Sequence, residues 1–260
     1  MFDSDNTNRV ITIGANVKKI PSYLFYSAKV ASVTFEDESV CEMIGRSAFE
    51  DCDSLTSIEI PDSVTSIGAY AFSNCFSLTS VVIGDGVTSI GIYAFRYCSK
   101  LVFNEYENAE YLGNDNNPYH ALIAASSSNS SCTINGNTKV IADNAFYNRG
   151  ISGTVIIPEG VISIGNSAFG KCVGLKNVVI PSSVTTIGDY AFLISSAVST
   201  HISGVYYKGD ADEWAKVQTG TSCFGYTTSV PIYYYSDNEP AESNKYWRYV
   251  NGVPTVWGDE

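Results

Sequence analysis

Seven cysteines, two histidines and several clustered carboxylates are the side chains of this 260-residue chain best equipped for chemistry. Thiolates ligate metals, exchange disulfides or attack electrophiles, and a thiolate metal site needs its ligands to converge on a point. Cys52, Cys75, Cys98 and Cys172 instead each follow a phenylalanine by three residues, and no close Cys-x-x-Cys pair occurs among the seven. They occupy one recurring structural slot, with parallel side-chain vectors that disfavour a relaxed bridge, so free thiols are expected. Cys41, Cys132 and Cys223 have no assigned role. His120 and His201 lie far apart, without a G-x-S-x-G elbow or an H-E-x-x-H helix. No catalytic residue is assigned and the chain is not expected to be an enzyme; His120, after Asn117-Pro118-Tyr119, reads as a turn residue. Asp3, Asp5 and Asn6 lack the glycine and distal glutamate of a calcium loop. Asp210, Asp212 and Glu213 stand where a helix start already favours negative charge, so neither metal nor cofactor is expected.

The elements that position these side chains follow from an internal repeat. Ala-Phe recurs at Phe49, Phe72, Phe95, Phe146, Phe169 and Phe192, at intervals of 23 residues apart from one gap of 51. Apolar positions recur with it: Leu55, Ile58, Ile60, Val64, Ile67, Ala71, Phe72 and Cys75 in one unit, and Leu78 through Cys98 in the next. The end of each Leu-x-x-Ile-x-Ile stretch alternates as a half-buried strand does. Corners at Pro61, Gly84, Pro158 and Pro181 end it with turn chemistry. Gly68, Gly91, Gly165 and Gly188 then offer positive φ or close approach. Segments such as AYAFSNC are read as one helical turn, too short to stand alone. Since each unit has one apolar side, only stacking buries it, with parallel strands about 4.8 Å apart. The fold class expected is a β-rich, right-handed solenoid of 23-residue coils with parallel sheets, short helical turns and a C-terminal β cap.

Two segments of a single domain follow. Residues 9–204 form the solenoid: a divergent first coil carries Leu24-Phe25 in the Ala-Phe slot, a longer coil begins near Val30, and an irregular insert covers about 104–137. Within that insert Ser126 to Ser131 is the expected surface excursion. From Val205 the pattern stops, and residues 205–260 are read as a cap: a strand, a helix capped by Asp210 or Asp212, a strand at Ile232 to Tyr235, and a hairpin turning at Asn251-Gly252.

The unit LTSIEIPDSVTSIGAYAFSNCFS resembles the BspA-type, or Treponema pallidum-type, leucine-rich repeat over roughly residues 9 to 200. The insert and tail resemble those of members from gut Clostridia. The resemblance implies that the cysteine slot holds a small buried residue hydrogen-bonded to the turn. It also implies a secreted or surface-attached bacterial protein engaged in adhesion to host matrix or to other bacteria. No leader or sorting motif is visible, so an extracellular or cell-surface location rests on the resemblance alone.

Charge narrows the partners: 15 Lys and Arg against 27 Asp and Glu give a net charge of -12, the wrong sign for nucleic acid. No apolar run is long enough to insert into a membrane as a helix. A protein or glycan ligand is expected, bound by a monomer. Its candidate face is the outward set Thr56, Ser57, Glu59, Thr79, Ser80, Val82, Lys176, Asn177 and Val179, aligned into ladders by stacking. A second candidate is an aromatic patch of Tyr246, Trp247, Tyr249 and Trp257, either a sugar platform or a cover for the solenoid end. The reading is non-catalytic recognition or adhesion through the repeat face; the alternatives are a structural spacer or a carbohydrate-binding tail.

Overall fold

The computed structural model describes residues 9–125, 132–194, 202–226, 230–241 and 243–258. Asp3, Asp5 and Asn6, the stretch Ser126 to Ser131, and His201 lie outside the described residues. The fold is a β-solenoid of coils about 23 residues long. It divides into two compact units, residues 1–106, 110–123 and 140–143 in the first, and 107–109, 124–139 and 144–260 in the second.

In the first unit each coil contributes a long strand and a short strand. The long strands Arg9–Ile13, Val30–Phe35, Ser57–Ile60 and Ser80–Ile83 pair in that order, all parallel. The short strands Lys19–Ile20, Met43–Ile44, Ser66–Ile67 and Ser89–Ile90 do the same. Register follows the repeat: Ile58 faces Val81 and Ile60 faces Ile83. Those four are buried while Ser57, Glu59 and Ser80 are exposed, as strand alternation demands. Phe25, Phe49, Phe72 and Phe95 form a continuous stack with centroids 5.1, 5.3 and 5.4 Å apart. Burying each ring contributes about 1.5–3 kcal/mol.

The repeat glycines serve close approach. A Cβ on Gly91 would lie 2.5 Å from the amide nitrogen of Ala69 in the preceding coil, and one on Gly68 would lie 2.6 Å from that of Arg46. Only a residue without a side chain lets the coils close to hydrogen-bonding distance there, where Gly91 N–H donates to Ile67 at 2.8 Å.

The expected helical turn does not form. Between the glycine and the cysteine slot, left-handed residues recur two before and two after the phenylalanine in the first unit: Tyr70 and Asn74 (φ 58 and 59), then Tyr93 and Tyr97 (φ 59 and 61). This alternation aims every second N–H at the following coil. Tyr70, Phe72 and Asn74 donate to Ile92, Ala94 and Arg96 at 3.0, 2.8 and 2.8 Å. A helical turn would direct those N–H groups back into its own coil and forfeit the inter-coil ladder. The second unit repeats the device, with Asn144, Phe146 and Asn148 donating to Asn166, Ala168 and Gly170 at 2.9, 2.7 and 2.8 Å.

In the second unit the long strands Ser152–Ile156, Gly174–Ile180, Gly204–Tyr207 and Ile232–Tyr235 run parallel. So do the short strands Ser163–Ile164, Thr186–Ile187 and Gln218–Thr219. The coil therefore continues past Val205, where the sequence pattern stops. Gln218–Thr219 fills the short-strand position and the Phe224 ring stacks on Phe192 at 5.6 Å. Helix Ala211–Trp214, with Asp210 and Glu213 in a reciprocal capping box, replaces the usual corner and stretches the spacing beyond 23. Strand Tyr246–Val250 adds in parallel to Ile232–Tyr235 and then turns through Asn251 and Gly252 (φ 50 and 80) into the antiparallel strand Val253–Val256. That is the expected hairpin.

Candidate functional site

The strand ladder is the first candidate surface. Thr56, Ser57, Glu59, Thr79 and Ser80 are exposed and Val82 is half-buried. Ser57 lies beside Ser80 and Glu59 beside Val82 in register, so strand pairing brings these residues into rows. Thr79 also serves the coil, donating its hydroxyl to the Thr56 carbonyl at 3.0 Å. Next to Glu59 a cleft of about 570 Å³ opens, with Glu36, Asp37, Glu38 and Asp62 around it. Two of these carboxylates are partly committed, since Glu36 accepts from the Ala15 amide and Asp62 from the Asp85 amide, both at 2.8 Å.

The matching positions in the second unit differ. Lys176 is exposed and Asn177 half-buried, with its amide 3.4 Å from the Thr154 hydroxyl. Val179 is fully buried, which removes it from any exposed surface. The cover comes from later strands: Val179 lies in register with Tyr206, whose ring packs on Trp247 at 5.5 Å, so this sheet face is covered where its counterpart is open.

Of the two readings of the aromatic patch, Trp247 fits the cover. It is fully buried, and its indole N–H donates to the Tyr207 carbonyl at 2.9 Å, so it fills and ties the sheet instead of offering a stacking face. Tyr235 and Tyr249 pack on it at 5.1 and 5.0 Å. Tyr246, Tyr249 and Trp257 are half-buried; Arg248 lies 3.9 Å from the Trp257 ring centroid, and the Trp257 N–H donates to Ser236 at 3.1 Å.

The cysteine slot is a staple. Cys52, Cys75, Cys98 and Cys172 each donate S–H to a phenylalanine carbonyl of the preceding coil, at 3.1, 3.2, 3.1 and 3.1 Å. Burial pushes the Cys52 thiol up to about 12 and those of Cys98 and Cys172 up to about 11, and drives Cys75 upward as well. Such thiols stay protonated and make poor nucleophiles. All seven cysteines are free.

His120 is a turn residue, but a buried one: its Nε2 lies 2.9 Å from the Val87 carbonyl and its Nδ1 3.7 Å from Asp85. With Asn114, whose amide donates to Asp85 at 2.7 Å, it fastens the insert to the corner that follows strand Ser80–Ile83. Asp210 and Glu213 spend their carboxylates on each other's amides at 2.8 and 3.0 Å.

One surface was missed from sequence. On the turn segments of the first unit, Tyr23, Tyr70, Tyr93 and Tyr97 occupy left-handed positions with arginines between them. Arg46 Nε donates to the Tyr23 hydroxyl at 3.1 Å and its guanidinium lies 5.0 Å from the Tyr70 ring centroid. The Arg96 guanidinium sits 4.3 Å from the Tyr93 ring and 4.4 Å from the Tyr97 ring, and it donates to the Tyr97 hydroxyl at 2.6 Å. The available signal was tyrosine recurring two residues before phenylalanine, at Tyr23, Tyr70, Tyr93 and Tyr190.

Comparison with known proteins places this geometry. The model of the BspA type leucine rich repeat region matches residues 2–115 and 123–208, in six copies. The chain is similar to the solved pneumococcal vaccine antigen PcpA, at 19% identity over 94% of this chain and 72% of that one, TM-score 0.39. A Treponema pallidum leucine rich repeat protein shares 22% identity over 81% of this chain and 77% of its own, TM-score 0.33. A leucine rich cell surface protein from Faecalibacterium prausnitzii shares 22% over 80% and 81%, TM-score 0.30. No curated protein matches the chain. Among the described residues no helix is long and apolar enough to cross a membrane.

Proposed function

The chain belongs to the BspA-type leucine-rich repeat family, and from that premise we propose that it is a non-catalytic recognition protein acting outside the cell or at its surface. Its strand face in the first unit holds a partner: a host matrix protein, a mucosal glycan or another bacterial surface. The observation that carries this reading is the open ladder of Ser57, Glu59, Thr79 and Ser80 beside the acidic cleft. Small polar side chains at fixed register give a broad surface with little rotamer entropy to lose on binding. A leucine-rich repeat family of this kind supports a protein-binding role, and the raised thiols and the structural use of His120 count against those groups as catalysts.

The test is solid-phase binding to immobilised matrix proteins, mucin and whole bacteria, comparing wild type with Ser57→Arg plus Ser80→Arg. Both sites are exposed, so the melting temperature should hold while binding falls about tenfold or more. Failure of the wild type to bind any surface would favour the spacer role instead.

A further inference from the structure

The left-handed slots of the turn segments favour asparagine, aspartate and glycine, because other L residues bring Cβ against the neighbouring carbonyl. Asn144 and Asn148 fill the two slots in a coil of the second unit, with φ 61 and 57, so a coil is built without tyrosine. In the first unit Tyr23, Tyr93 and Tyr97 take those strained positions and leave 53%, 37% and 58% of their surface in solvent. At these three a large part of an aromatic side chain faces solvent in a slot where the fold needs only a small polar group.

We propose that this turn face is a binding platform for a neutral linear polysaccharide. Three observations select that ligand. First, tyrosine fills the leading slot in three of the four coils, Tyr23, Tyr70 and Tyr93, with Ser47 in the second, and the Tyr70 and Tyr93 centroids lie 5.6 Å apart, so a ligand that repeats along its own axis can meet more than one rung. Second, the chemistry suits sugar. Aromatic surface packs on the C–H faces of a pyranose, while phenol hydroxyls both donate and accept and guanidiniums donate; the Asn74 amide and the Asp51 carboxylate on the same segments are spent on each other at 2.7 Å. Third, the charge is locally balanced. Arg46 and Arg96 are offset by Glu50 and Asp51 within a chain of net charge -12, which gives a polyanion no electrostatic advantage. The cation–π contacts of Arg96 hold two rings before any ligand arrives, which lowers the ordering cost of binding.

The platform is separate from the strand face, so either proposal stands if the other fails. The experiment is native-gel retardation of the full chain in gels cast with hydroxyethylcellulose, xylan or galactomannan, and in parallel with polygalacturonate or heparin. Slower migration in at least one neutral gel is expected. Tyr93→Asn plus Tyr97→Asn should weaken it by about tenfold with an unchanged or higher melting temperature, because asparagine accepts the left-handed backbone. Arg96→Ala, which leaves the backbone positions untouched, should weaken it too, and Ser57→Arg plus Ser80→Arg should not. Unaltered migration in every neutral gel, retardation by the polyanions alone, or retardation that survives both turn-face variants would overturn the proposal.

Discussion

At the level of single residues the thiols give the sharpest expectation. Cys52, Cys98 and Cys172 ionise near 9.0 when solvated and near 12, 11 and 11 when folded. A folded value raised above the unfolded one means stability is intact below pH 9 and is withdrawn as pH climbs toward the folded value, by roughly 1.4 kcal/mol per pH unit and thiol. The melting temperature should therefore fall steeply between pH 9 and 11. It should fall less steeply in Cys52→Ser plus Cys98→Ser, since serine keeps a hydrogen-bond donor and does not titrate there. A parallel slope in the variant would show that the alkaline loss comes from elsewhere. The cysteine slot was readable because it depends on counting from phenylalanine. Val179 was not: what covers it is Tyr206 and Trp247, from strands 27 and 68 residues further on.

At the level of elements, strands and corners were legible because alternation and proline-glycine chemistry are local. The turn segment was not, since a helical turn and an αR–αL alternation both suit a short run with two apolar residues. What decides between them is an acceptor about 22 residues later, such as Ala94 for Phe72. The coil after Val205 was hidden for a related reason: an inserted helix displaced Phe224 from the expected interval while leaving its ring on the Phe192 stack. Two substitutions probe these elements. Gly91→Ala should destabilise by about 1–3 kcal/mol because its methyl meets the Ala69 backbone, which cannot retreat. Trp247→Ala should cost about 3–5 kcal/mol, leaving a cavity and an unsatisfied Tyr207 carbonyl. Chemical denaturation would read both, and a neutral result at Trp247 would mean that it does not hold the sheet end together.

At the level of the whole molecule, the low charge has a structural cause. Ser, Thr and Asn fill the exposed strand and turn positions that Lys and Glu fill on helices. Stability in such a stack is carried between neighbouring coils, so it should grade along each unit. Native-state hydrogen exchange should find the amides of Tyr23, Phe25 and Ser27, in the first coil, less protected than those of Tyr70, Phe72 and Asn74, although both sets donate to the next coil at 2.8 to 3.0 Å. Equal protection would mean that the unit opens as one block. The turn-segment ladder adds one more consequence. In each unit its N–H groups face the later coil and its carbonyls the earlier one, so the ladder is a row of aligned peptide dipoles with unlike ends. Two copies cannot join through it as a closed, two-fold pair, because donors would meet donors. Association by this ladder is possible only head to tail, and it has no natural stopping point.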